Sequence, residues 1–135
     1  NLKGTDFFYT LNEFLTTSEL ITYVKNIAWI ENTQWDWGIC SSPLRNDHDN
    51  SAYWKRRWLD ERGYCPDAAN LVFTNNKSRY ATSQIDGSAN ILIDDKLSNV
   101  KSWSNCGGIG LLYQANKDSL YTLFHELKRH TRKSK

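Results

Sequence analysis

Two adjacent carboxylates, Asp94 and Asp95, close an unbroken apolar run, Ile91-Leu92-Ile93. Carboxylates side by side repel one another and require a cation. Hard oxygen donors of this kind select Mg²⁺, which usually takes one or two carboxylates together with substrate phosphate and water. Ser41 and Ser42, ahead of Pro43, offer a hydroxyl and backbone N–H groups of the type that hold phosphate oxygens. Lys77 offers a compact positive charge for the same phosphate. Hydroxyl, lysine and metal-binding acid are together the parts of a phosphoryl-transfer site. Taken singly each has a plainer reading: Lys77 as a surface lysine, Asp94-Asp95 as a strand-ending turn, Ser41-Ser42-Pro43 as a turn.

The elements that must bring these groups together can be read from the hydrophobic pattern. Thr16 and Glu19 make a capping-box pair. Behind them Leu20, Val24, Ile27 and Ala28 recur at helical spacing and predict a helix of about a dozen residues. Trp35 to Cys40 reads as a strand that ends at Ser41, and Ala52 to Arg62 as a helix stopped by Gly63. Leu71 to Thr74 predicts a short buried strand, with Asn75 and Asn76 as turn or cap residues. Ile91 to Ile93 and Ile109 to Tyr113 predict two more strands. Asn116 is expected to cap a last helix whose apolar face is Leu120, Phe124 and Leu127. Strands apolar throughout are buried on both faces, and their alternation with helices predicts an α/β fold with a parallel sheet. In such sheets ligands bind beyond the carboxyl ends of the strands. The three polar clusters all fall at that edge.

Ile39-Cys40-Ser41-Ser42-Pro43-Leu44-Arg45 resembles the second motif of the haloacid dehalogenase superfamily, closest to the form I-C-T-S-P-I-K of its 5'(3')-deoxyribonucleotidases. Thr74-Asn75-Asn76-Lys77 is similar to their third motif, T-R-D-K, and Ala89 to Asp95 to their fourth, A-D-L-L-I-D-D. The likeness runs from about Phe7 to the end of the chain. It implies a Rossmann-like parallel sheet flanked by helices, incomplete at its N-terminal end. Residues 1–15 would be the end of a cap or linker and 16–135 the C-terminal part of the core domain. It further implies a role for each matched residue. Ser41 binds the transferring phosphoryl group, Ser42 and Arg45 contact the substrate phosphate, and Lys77 neutralises phosphate and attacked carboxylate. Asp95 ligates Mg²⁺ directly, and Asp94 acts through water or from behind. Phe7 and Phe8 would lie where a base packs. Asn75-Asn76 and Lys96-Leu97 depart from the relatives' Arg-Asp and Arg-Pro, which bears on nucleotide preference more than on the metal.

The superfamily's nucleophile is the first aspartate of a D-x-D motif that closes an apolar strand and becomes an aspartyl-phosphate. That motif would precede Asn1. The one D-x-D here, Asp47-His48-Asp49, follows polar residues and reads as an acidic helix start. The resemblance therefore implies part of a Mg²⁺-dependent phosphohydrolase for (deoxy)nucleoside monophosphates, completed by an N-terminal fragment or second chain. The chain alone is not expected to turn over by this mechanism. Its Asn1, in place of Met, fits processing or cleavage. A phosphate- or nucleotide-binding module without catalysis, and a polynucleotide-end phosphatase, are the competing readings.

Composition bounds these readings. The 135 residues fit one small domain, and a net charge of +2 makes the whole chain a poor partner for nucleic acid. Lys128, Arg129, Arg132, Lys133 and Lys135 crowd the end as a helix terminus and tail, with a weak phosphate-contacting arm as the alternative. Cys40, Cys65 and Cys106 are odd in number and widely spaced, which argues against a disulfide framework and a zinc site and for a reducing cytosol. No membrane-spanning run or signal peptide is visible, so a cytoplasmic protein is expected. Tyr53, Trp54 and Trp58 are read as core or domain-contact residues, and His48, His125 and His130 carry no assigned role.

Overall fold

The computed structural model of the chain describes residues 17–29, 36–42 and 48–131. It is a mixed α/β structure. In chain order it runs α1 (Thr17–Trp29), β1 (Ile39–Ser41), α2 (His48–Glu61), β2 (Leu71–Phe73), β3 (Ile91–Asp94), α3 (Leu97–Asn105), β4 (Ile109–Leu112) and α4 (Leu120–Thr131). Short 3₁₀ turns at Ala68–Asn70 and Lys77–Tyr80 flank β2.

The strands pair in parallel, as their two-sided apolar character predicts. β1 lies on β2 with Ile39 opposite Leu71 and Ser41 opposite Phe73, and β3 lies on β4 with Ile91 opposite Ile109 and Asp94 opposite Leu112. The expectation of one sheet meets a different arrangement among the described residues: two two-stranded sheets, β1-β2 and β3-β4, with no hydrogen-bonded ladder between them. Burial is also less complete than two covered faces would give. Leu71, Leu92 and Asp94 are buried, while the remaining residues of β1, β2 and β3 are half-buried.

The core forms around β3. Ala81, Leu92 and Trp103 pack together with Tyr80 against them. Trp103 Nε1 donates to the Asn90 carbonyl at 2.9 Å, and Asn90 Nδ2 donates to the Tyr80 carbonyl at 2.9 Å. The indole thus buries its ring and still satisfies its single donor. These bonds tie the turn that carries Lys77 to the entry of β3 and to α3. Helix α3 needs a flat strand surface beneath it, and Gly110 provides one. A Cβ built there would lie 2.7 Å from the Val100 carbonyl oxygen, closer than any side chain tolerates. Elsewhere α1 meets α4 through Tyr23, whose ring stacks on Phe124 at a 4.0 Å centroid separation.

Sequence reading and structure differ at several boundaries. Helix α2 starts at His48, four residues before the expected Ala52, and ends as expected near Gly63, which adopts φ +73°. Helix α3 was not expected at all. The last helix starts at Leu120, and its cap is Ser119: the Ser119 hydroxyl accepts the Tyr121 N–H at 3.1 Å. Asn116 lies in the preceding turn, so the expectation that it caps this helix fails. Tyr53, expected in a core or contact, is 51% exposed. Thr16, Trp35 and the tail residues Arg132, Lys133 and Lys135 lie outside the described residues, as do Phe7, Phe8 and the region 1–15 expected as cap or linker.

Candidate functional site

Lys77 and Asp94 form a buried ion pair. Lys77 opens the 3₁₀ turn after β2, and Asp94 is the last residue of β3. The ammonium meets Asp94 Oδ2 at 2.8 Å, with only 13% and 5% of the two side chains exposed. Asn99 Nδ2 donates to the same carboxylate oxygen at 3.2 Å, and the Lys96 N–H donates to Oδ1 at 2.9 Å. Burial pushes the Asp94 carboxyl up. The hydrogen bond from Lys77, those from Lys96 and Asn99, and the lysine's charge outweigh it and hold the group below its usual range. The turn carrying Lys77 is built by short polar links. The Asn76 N–H donates to Thr74 Oγ1 at 3.0 Å, and Ser78 Oγ donates to Asn76 Oδ1 at 3.0 Å. Asn76 thus shapes the turn through its backbone and its acceptor oxygen.

Asp95 behaves differently from its neighbour. Its side chain is exposed, and its carbonyl accepts from Gln114 Nε2 at 3.2 Å. Both oxygens of Asp94 are engaged, so Asp95 is the carboxylate of the pair that is open to a cation. Among the described residues there is no group of three or more His, Cys, Asp or Glu side chains placed to hold a metal ion. A Mg²⁺ ion bound through one carboxylate, phosphate and water would still fit Asp95, with Asp94 behind it.

Ser41 closes β1. The Thr74 N–H donates to its carbonyl at 2.9 Å, extending the β1-β2 ladder and fixing the backbone. Its hydroxyl lies 2.7 Å from Lys55 Nζ, which also donates to the Ser42 carbonyl. Lys55 lies on α2 one turn from the buried Ser51 and one turn from the buried Leu59, so the face that docks the helix aims the lysine at β1. At the start of the same helix, His48 Nε2 sits 3.2 Å from the Phe73 carbonyl oxygen, which links α2 to the end of β2. Burial, and then the nearby charge of Lys77, pulls the Lys55 ammonium down to about 8. The Cys40 thiol is pushed up by burial, with opposing influences of Lys77 and Asp94. Cys40 is thus a half-buried small side chain within electrostatic reach of Lys77 and Asp94, and the three cysteines are all free thiols.

The structure places Ser41 at the end of β1 and the Lys77–Asp94 pair at the end of β3, and Lys77 lies near enough to Cys40 and Lys55 to act on their charge. Lys55 joins them and is the residue that the sequence pattern does not disclose. Its one signal is its place four residues before Leu59 on the buried stripe of α2, where a lysine must either snorkel or find a partner. Ser42 is exposed beside Ser41, and Asp95 is exposed beyond Asp94. Arg45 and Asp47 lie outside the described residues. The Asp49 carboxylate is in the first turn of α2, 3.4 Å from His48 Nδ1, as an acidic helix start would be. No described helix is long and apolar enough to cross a membrane. Comparison with family models, with curated proteins and with solved structures finds no match to this chain.

Proposed function

We propose that this chain is the phosphate-holding C-terminal part of a Mg²⁺-dependent phosphohydrolase acting on (deoxy)nucleoside monophosphates. The observation that carries the reading is that the Ser41 hydroxyl, held by Lys55, and the Lys77–Asp94 pair each stand at the carboxyl end of a parallel strand, with Lys77 near enough to Lys55 to act on its charge. Ligands of open α/β sheets bind at that edge. The Ser41 hydroxyl and the Ser42 backbone would hold phosphoryl oxygens, Lys77 would balance their charge, and Asp95 would hold Mg²⁺ with Asp94 behind it. The ion would neutralise the phosphate and fix its orientation. The superfamily resemblance places the attacking aspartate on a strand ahead of these residues. Such a strand, from an N-terminal fragment or a second chain, would bring a carboxylate to the Ser41 edge.

Two measurements test this. Calorimetric titration of Mg²⁺ and of inorganic phosphate is expected to lose the metal in Asp95→Asn and the anion in Lys77→Ala. Asp95 is exposed, so its substitution separates loss of binding from loss of fold. Unchanged binding in both variants overturns the assignment. Denaturing intact-mass analysis of the purified sample should then reveal a second polypeptide with an apolar strand ending in D-x-D. Turnover of a nucleoside monophosphate by that complex separates the hydrolase from a binding module that holds phosphate without cleaving it.

A further inference from the structure

The chain-wide charge of +2 is the sum of two unlike parts. Residues 1–119 hold 12 Lys and Arg against 14 Asp and Glu, and residues 120–135 hold five against one. A body of net −2 thus carries a final segment of net +4. A helix C-terminus presents roughly half a negative charge, so compensation of its dipole accounts for a small part of that excess. The single acid of the segment is already engaged: Glu126 Oε1 accepts from Arg129 at 2.9 Å and lies 4.0 Å from His130 Nε2.

Helix α4 sorts its residues by face. Leu123 and Leu127 are buried, and Phe124 stacks on Tyr23 of α1. Tyr121, His125, Lys128 and Arg129 are exposed. Steps of four and three residues put Tyr121, His125 and Lys128 in one row, with Arg129 beside its end. Tyr121 opens the row and is 80% exposed. Lys128 stands about 10 Å further along the helix axis, at the usual rise per residue. Beyond the described helix the sequence adds Arg132, Lys133 and Lys135.

We infer that the exposed face of α4 and the basic segment that follows it bind single-stranded nucleic acid, with the cations tracking phosphates and the Tyr121 ring stacking on a base. A run of cations matches phosphates in series. An open aromatic ring beside them is the platform on which single strands stack, whatever their sequence. An anionic bilayer fits less well. Interfacial helices insert their apolar face, and the apolar face of α4 is buried within the chain. The inference stands apart from the phosphate-site reading, since Ser41, Lys77 and Asp95 take no part in it.

Fluorescence anisotropy of a labelled oligothymidylate of about 20 nucleotides, titrated with the full chain, tests the inference. The logarithm of affinity should fall against the logarithm of salt concentration with a slope of about −2 to −3, as for three or four neutralised phosphates of a single strand. Lys128→Gln should reduce that slope by about 0.7. Tyr121→Ala should weaken binding about tenfold with the slope unchanged, and Tyr121→Phe should keep the wild-type affinity. Both side chains are exposed, so these variants should melt as the wild type does. A slope near zero, or wild-type affinity in Tyr121→Ala, overturns the inference. Phosphatidylserine vesicles bound as tightly as the oligonucleotide, and with the same response to salt, also overturn it and assign the segment to an anionic surface. Absence of oligonucleotide binding by the folded chain at about 50 mM salt overturns it too, and leaves the phosphate site standing.

Discussion

At the scale of single residues, the pair Lys77–Asp94 and the lysine Lys55 pull stability in opposite directions. The carboxyl of Asp94 is held below its ordinary 3.8, so its contribution is present above that pH and is lost as the pH falls through the folded value. Acid unfolding should therefore begin below about pH 4, and Asp94→Asn should move its midpoint. Removing one partner strands the other charge in a buried setting. Asp94→Ala and Lys77→Ala are each expected to cost about 3–5 kcal/mol, with the double variant far from additive in urea unfolding. For Lys55 the folded value of about 8 lies below the ordinary 10.5, so the folded state gives up its proton first. Folding is opposed by this group throughout the range below 8. The opposition fades between 8 and 10.5 and is gone above. Lys55→Met should accordingly raise the melting temperature at pH 7, and the gain should shrink as the pH is taken toward 10. A Lys55→Met variant that melts below the wild type at pH 7 would mean that the links to Ser41 and Ser42 outweigh burial.

At the scale of elements, what was legible followed from runs of apolar side chains, and what was not followed from packing. The strands at Leu71, Ile91 and Ile109 declare themselves because each is a short run of apolar residues bounded by polar ones. Helix α3 does not. Its LSNVKSWSN is mostly polar, has no side-chain cap, and shows only Leu97, Val100 and Trp103 at a spacing of three. It is helical because Val100 and Trp103 bury themselves over β4 and the Lys77 turn, a tertiary effect that local propensity does not carry. The start of α4 was misread for a related reason. Asn116 and Ser119 are both competent caps, and the structure uses the one whose hydroxyl reaches the N–H two residues on. Ser119→Ala is expected to cost about 1 kcal/mol and Asn116→Ala a few tenths, a contrast that thermal melts resolve. Gly110→Ala places a methyl group against the Val100 backbone and should cost about 1–3 kcal/mol, read by the same melts. The site was legible to the extent that strand ends could be read: Lys77 and Asp94 do meet, while the hydroxyl of Ser41 meets Lys55. The unequal roles of Asp94 and Asp95 follow from the engagement of Asp94 with Lys77 and Asn99, which the sequence does not print. Lys55 escapes for the same reason, being one lysine on a helix with Arg56, Arg57 and Arg62 beside it.

At the scale of the whole molecule, the division of the strands into two pairs has an energetic consequence. A sheet of two strands is marginal on its own, and each pair here leans on helices from one chain segment or the other. Among the described residues each of these strands has one hydrogen-bonded neighbour, and an unpaired strand edge is a template for an extended segment. Any segment that seats there binds the folded chain and not the unfolded one, so its concentration enters the folding equilibrium as RT ln(1 + [L]/Kd). At a hundredfold excess over Kd this amounts to about 2.7 kcal/mol, a large share of what a domain of this size commands. The melting temperature of this chain would then be a property of the mixture it is in, rising with the logarithm of a complementary strand's concentration and serving as a direct assay for finding that strand.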